Sequence, residues 1–280
     1  METSAKLIPS VASCVAKLIL DFGQHKWAVG SGFILSGANG PCLATTFHNL
    51  SGGISPMARF KDREAPNPLR IELFYDGHHV ASFSPYEKDR SLFRVHPDME
   101  GAGWCDVAVL DLADLRDKKK EEGENSPFWT HPGIDTSAAP PHSAAYALVT
   151  DMFLAAGRDA LVFGYPGGRD FHEMPIGVGC KIAALTGAKE PGLLLSGHTS
   201  AGCSGAPVIA RDFGGYHTLE SAGLVRKHCE IPLVDQWLGL YSGRLENVGA
   251  GYHDGNTQIG VVWSARIVNE VATTGIYEVL

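Results

Sequence analysis

Glycine and proline punctuate this chain throughout, 33 of the one and 16 of the other, and they cut its apolar and β-branched stretches into short runs. Glycine opens turn conformations closed to other residues, and proline cannot donate to a central ladder, so the pattern favours short strands joined by turns. Strands are expected near Lys17 to Phe22, Ala28 to Leu35, Cys42 to Thr46, Arg70 to Tyr75, Val80 to Ser84, Leu92 to His96 and Val107 to Leu112. A second series is expected near Tyr146 to Thr150, Ala160 to Gly164, Ile176 to Leu185, Leu193 to Gly197, Pro207 to Ala210, Gln236 to Ser242 and Gln258 to Trp263. Between them, from Arg116 to His142, charge gives way to a Pro/Ala/Ser-rich passage that reads as a surface connection. A short helix around Ala5 to Val15, broken by Pro9, opens the chain, and one over Ser264 to Thr273 ends it, with a serine cap before apolar Ile267, Val268 and Val271. The chain's 280 residues, 44% hydrophobic and 19% charged, suffice for one large unit or two barrels sharing a cleft.

The stretch richest in chemical meaning is Gly202-Cys203-Ser204-Gly205-Ala206-Pro207, followed by apolar Val208, Ile209 and Ala210. A serine between glycines also describes ordinary tight turns, so its meaning depends on whether a base and an orienting acid exist elsewhere. His48 closes the apolar and β-branched run Leu43 to Phe47, as a strand would that delivers an imidazole to a cleft at its end. Asp106 stands at the mouth of the run Val107 to Leu112. A serine hydroxyl is a weak nucleophile at neutral pH: a neutral imidazole must take its proton and return it to the leaving group, while a carboxylate holds the ring's tautomer. These residue types suit Ser204 as nucleophile, His48 as base and acid, and Asp106 as orienter.

The order His48, Asp106, Ser204 is that of chymotrypsin-like enzymes and not of subtilisins or α/β-hydrolases. Further stretches agree. Gly30-Ser31-Gly32-Phe33-Ile34-Leu35 looks like a first-barrel strand leading to the histidine, and Thr45-Thr46-Phe47-His48 stands where a Thr-Asn-x-His element belongs. Val162-Phe163-Gly164-Tyr165-Pro166-Gly167-Gly168, Trp237-Leu238-Gly239-Leu240-Tyr241-Ser242-Gly243 and Ile259-Gly260-Val261-Val262-Trp263 match second-barrel elements. The chain thus resembles the trypsin-like serine peptidases, nearest in pattern to the bacterial, disulfide-free HtrA/DegP type, from about Gly30 to Val271.

That resemblance implies an all-β, chymotrypsin-like double six-stranded β-barrel with a short N-terminal helix and a C-terminal helix. The implied layout is an N-terminal barrel over 1–115 with His48 and Asp106, a connection over 116–143, a C-terminal barrel over 144–263 with Ser204, and a helix and tail over 264–280. It also implies hydrolysis of peptide bonds through an acyl-enzyme, an oxyanion hole built from the backbone N–H groups of Gly202 and Ser204, and a hydrogen bond from Ser242 to the triad aspartate. No cofactor and no metal are implied.

The chain departs from the family pattern twice. Cys203 stands where digestive members carry an aspartate that receives a newly freed N-terminal amine, so that activation switch is not available. Constitutive competence, or ordering of the loop by substrate or an activating partner protein, is what is left. The position that in trypsin selects Lys and Arg is His198, so a basic side chain finds no counter-charge there. His198, Thr199, Tyr241, Ser242 and Arg244 are the candidate pocket residues; they allow either an acidic or polar side chain, bound by donors, or a small or apolar one with His198 filling space.

Charge and cysteine usage exclude other classes. The net charge of −8, with Lys118-Lys119-Lys120 followed at once by Glu121 and Glu122, argues against nucleic acid as a partner, and no apolar run approaches the ~18 residues of a membrane span. Cys14, Cys42, Cys105, Cys180, Cys203 and Cys229 show no C-x-x-C spacing and read as reduced thiols, and Met1-Glu2-Thr3 opens no secretion signal, which points to the cytoplasm. Adjacent His78 and His79 point to opposite faces of a strand, and no metal-binding box accompanies them. No PDZ domain is expected, so the reading is of a narrow-specificity regulatory or defence protease with a protein or peptide substrate. The stretch Glu246 to Asn256, with His253 and Asp254, is placed over the cleft. Two other readings stay open: an α/β-hydrolase esterase using Asp235 and His253, and a catalytically idle protease-fold binding module.

Overall fold

A computed structural model describes residues 11–37, 40–52, 67–87, 90–97, 105–113, 115–116, 146–149, 154–168, 174–185, 192–213, 216–219, 225–228, 233–244 and 258–279. The expected connection over 116–143, Cys229 and the stretch 246–256 lie almost wholly outside these residues.

The first unit is built from β1 (Val15–Asp21), β2 (Trp27–Gly37), β3 (Gly40–Thr45), β4 (Arg70–Tyr75), β5 (His78–Phe83), β6 (Tyr86–Glu87), β7 (Arg90–Val95) and β8 (Ala108–Asp111). The five-residue helix α1 (Phe47–Ser51) follows β3. The second unit holds β9 (Tyr146–Val149), β10 (Asp159–Gly164), β11 (Ile176–Leu185), β12 (Gly192–Gly197), β13 (Pro207–Phe213), β14 (Tyr216–Leu219), β15 (Val225–His228), β16 (Leu233–Arg244) and β17 (Ile259–Ser264). Helix α2 (Ala265–Thr274) and β18 (Ile276–Val279) end the chain.

The second unit closes: β13, β10, β11, β12, β17 and β16 form a ring sealed by the β13–β16 pairing, with β9 added in parallel along the start of β16. Among the described residues the first unit is an open sheet in the order β5, β4, β1, β2, β3, β8, β7, β18, with β6 also paired to β7. The architecture is the all-β, chymotrypsin-like double-barrel arrangement that the sequence led us to expect. Ring closure of the first unit is the detail that differs, because β7 already has β8 on one edge and the terminal strand β18 on the other. The chain end was expected as helix and tail, yet Gly275 halts α2 and β18 then pairs antiparallel with β7, Ile276 opposite Val95. At the start, Val11–Cys14 is one 3-10 turn that runs directly into β1.

Three apolar cores explain why several strands read as continuous hydrophobic runs. In β2, Ile34 faces the interior of the first unit, while Phe33 and Leu35 face the junction with the second. In the β8 region Ala108 and Leu110 face inward and Val107 and Val109 face the junction, so both faces of these strands are buried. Across the junction Phe33 meets Trp237 edge to face, 5.5 Å between ring centres. Helix α2, capped by Ser264 Oγ accepting from Ile267 N, lays Ile267, Val268, Val271 and Ala272 on the same core.

Candidate active site

His48 sits in the first turn of α1, one step beyond the strand end at which the sequence placed it. Its position follows from Asp106, which is wholly buried in the segment that leads into β8. One carboxylate oxygen, Oδ1, accepts the His48 backbone N–H at 2.9 Å. The other, Oδ2, accepts from the His48 ring at Nδ1, 2.7 Å away, and from Ser242 Oγ at 2.5 Å. A carboxylate acceptor puts the ring proton on Nδ1 and leaves Nε2 with its lone pair. Burial of a charge is costly unless it is met by donors, and three donors on Asp106 meet that need. Ser242, read from sequence both as an aspartate partner and as a pocket residue, has its hydroxyl turned to the aspartate.

Ser204 lies in a tight turn between β12 and β13 whose backbone is tied down at each carbonyl. Ala201 O accepts from Gly167 N at 2.6 Å, Gly202 O from Ser31 Oγ at 2.6 Å, and Cys203 O from Ala206 N at 2.9 Å. Ser204 O accepts from Ser31 N at 2.8 Å and from Asn49 Nδ2 at 2.9 Å, which joins the serine's backbone to the neighbour of His48. In a trans peptide N–H and C=O point in opposite directions, and no described peptide is cis. The N–H groups of Gly202 and Ser204 are therefore aimed away from these tethers, and among the described residues neither has a hydrogen-bond partner.

Glycine is required in this turn. Gly202 has φ +92°, and a Cβ there would fall 2.2 Å from Tyr165 O; at Gly205, φ +87°, it would fall 2.0 Å from Ser31 O. Cys203 is fully buried, and burial pushes its thiol above the ordinary range, which disfavours the thiolate a cysteine nucleophile needs.

The remaining candidates separate. Thr199 and Tyr241 are buried and share a 2.5 Å hydrogen bond between their hydroxyls, with burial raising the Tyr241 phenol to about 12. His198 is exposed at the end of β12, and Arg244 is partly buried at the end of β16. Asp235, the acid of the esterase reading, is engaged by Arg211 through two hydrogen bonds of 2.7 Å, and the described residues form an all-β fold without the alternating helices an α/β-hydrolase needs, so that reading is set aside. Its partner His253, like Asp254, lies outside the described residues.

Sequence reasoning missed Ser31, Thr45 and Asn49. Thr45 Oγ1 donates to Ser31 O at 2.7 Å and accepts from Asn49 Nδ2 at 3.0 Å, so the three connect the β2–β3 hairpin to the serine turn. Only the extended Gly30-Ser31-Gly32 run hinted at a close approach, since a Cβ on Gly30 would meet Asn49 Nδ2 at 2.5 Å. Among the described residues no group of three or more His, Cys, Asp or Glu is placed to hold a metal, and no helix is long and apolar enough to cross a membrane.

No protein-family model matches the sequence, and neither does any curated protein. Among solved structures the chain is similar to the active form of the Rv3671c protease from M. tuberculosis, with a TM-score of 0.46 and 16% identity over 93% of this chain and 80% of that one. It is also similar to a serine endoprotease from Yersinia pestis (0.45, 13%, covering 93% of this chain and 61% of that one) and to the protease Anisep from Arthrobacter nicotinovorans (0.42, 14%, 94% of each).

Proposed function

We propose that this chain is a serine endopeptidase that cleaves peptide bonds through His48, Asp106 and Ser204. The observation that carries the reading is the buried Asp106 carboxylate, which holds both the backbone and the ring of His48 and is itself held by Ser242. His48 Nε2 takes the Ser204 Oγ proton as Oγ bonds to the substrate carbonyl carbon. The carbonyl oxygen, now an anion, is met by the N–H groups of Gly202 and Ser204. Collapse breaks the C–N bond, the proton on Nε2 goes to the departing amine, and water attacks the acyl-enzyme by the same route to release the acid.

The pocket residues favour a small or apolar side chain before the scissile bond. The Tyr241 ring lies against Gly260, where a Cβ would be 2.5 Å from Tyr241 Cε2, and its hydroxyl is spent on Thr199, while His198 faces solvent.

A fluorophosphonate that reacts with activated serines tests the nucleophile. The wild-type chain is expected to label, and Ser204→Ala and His48→Ala are not; equal labelling of wild type and Ser204→Ala would sink the reading. Cut sites mapped from new N-termini in a proteome after expression should show small or apolar residues before the cut, and a preference for an acidic residue, Lys or Arg there would refute the pocket assignment.

A further inference from the structure

Ser31 has a hydroxyl whose two bonds both cross from the first unit to the second. It lies on β2, fully buried; its Oγ donates to Gly202 O at 2.6 Å and accepts from Tyr165 N at 3.1 Å. We propose that Ser31 is a positioning residue for the oxyanion-binding turn, clamping the Gly202 carbonyl so that the Gly202 and Ser204 N–H groups stay aimed into the cleft. The proposal rests on the reading of Ser204 as nucleophile.

The turn needs such a clamp because its conformation has a close rival. Cys203 N donates to Ser200 O at 3.2 Å, and Gly202, with φ +92°, occupies the second central position, where a type II turn demands positive φ. Rotating the Ala201–Gly202 peptide by half a turn gives a type I turn with negative φ at that position. Glycine adopts either, so residue 202 itself does not choose. In the rotated form the Ala201 carbonyl would point where the Gly202 N–H now points, presenting an acceptor to a developing anion.

Two bonds oppose the rotation. Gly167 N holds the Ala201 carbonyl and opposes the rotation directly, and Ser31 Oγ holds the carbonyl of the next peptide and so fixes the pivot at Gly202 about which the rotation would turn. Through Tyr165 N the same hydroxyl fixes the segment that carries Gly167, so both restraints meet at Ser31. The close approach is possible only beside glycines: a Cβ on Gly164 would lie 2.7 Å from Ser31 Oγ. Ser31 O in turn accepts from Thr45, and Ser31 N donates to Ser204 O, so the clamp is braced on the hairpin before His48. Removing the hydroxyl leaves Gly202 O and Tyr165 N buried without it and frees the turn.

The test compares the second-order rate of fluorophosphonate labelling in the wild-type chain and Ser31→Ala, together with amide exchange at Gly167. Ser31→Ala is expected to stay folded by circular dichroism, to label about 10- to 100-fold more slowly, and to exchange Gly167 faster while the Val162 and Val208 amides in the barrel keep their protection. Equal labelling rates overturn the positioning role and leave the nucleophile reading standing. Absence of labelling in both chains overturns the nucleophile reading, and the positioning role with it. Should Ser31→Ala fail to fold, exchange in the wild-type chain decides at Tyr165, whose amide donates to Ser31 Oγ: a Tyr165 amide as fast as an unprotected one overturns the clamp, and a protected Tyr165 supports it.

Discussion

At the scale of single residues, Asp106 is the group on which the site turns, because it serves two partners from different elements with one carboxylate. Replacing it by asparagine keeps the shape and a hydrogen bond but presents an N–H to His48 Nδ1, so the ring must carry its proton on Nε2 and can no longer accept from serine. Asp106→Asn is expected to lower kcat on a peptide substrate by about 10⁴-fold with KM little changed. A drop below tenfold in steady-state kinetics would show that tautomer control is not its task. Ser204, His48 and Asp106 stood out as candidates because of their order along the chain taken together, each local setting being common by itself. Ser31, Thr45 and Asn49 did not, since small polar residues in or beside a strand are common, and their meaning comes from partners far away in the chain.

At the scale of elements, the strand pattern of the first unit was largely readable, and the terminal helix with its serine cap lies where the period of its apolar residues put it. What followed it was not readable. β18 is short and carries no alternation strong enough to reveal itself, and its partner β7 lies in the other half of the chain. Arg94 fastens this corner: its guanidinium donates to Ala272 O at the end of α2 and to Asp111 on β8, each at 2.6 Å. Removal of Arg94 leaves a partly buried Asp111 carboxylate and an Ala272 carbonyl without their donor, so Arg94→Ala is expected to cost about 1 to 3 kcal/mol. Urea denaturation measures this; a loss under 1 kcal/mol would mean that α2 and β18 are held by apolar packing alone.

At the scale of the whole molecule, the two units meet over an apolar core to which Phe33, Val107, Trp237 and α2 all contribute, and the candidate site sits along that junction. Thiols are part of the cores: Cys14, Cys42, Cys105, Cys180 and Cys203 are buried and free. Burial holds Cys14 and Cys42 protonated up to about 12, whereas the same thiols unfolded ionise near 9.0. A folded value above the unfolded one means that the stability these groups contribute is whole below pH 9 and is lost as pH rises toward 12. Stability should therefore fall between pH 9 and 11 by about 1.4 kcal/mol per pH unit for each such thiol. Cys42→Ala should flatten that slope in denaturation series, and an unchanged slope would assign the alkaline loss to other groups.

The sequence by itself determined the fold class and singled out His48, Asp106 and Ser204 as candidates for the three roles proposed above, because glycine and proline spacing, apolar runs and residue order are local or linear properties. Only the tertiary structure decided that the first unit stays open, that Tyr241 and Thr199 bond each other while His198 faces solvent, and that Ser31 reaches across to Gly202. Those outcomes depend on which strand edges are already taken and which atoms meet when two sheets pack, and neither is written in any one stretch of chain.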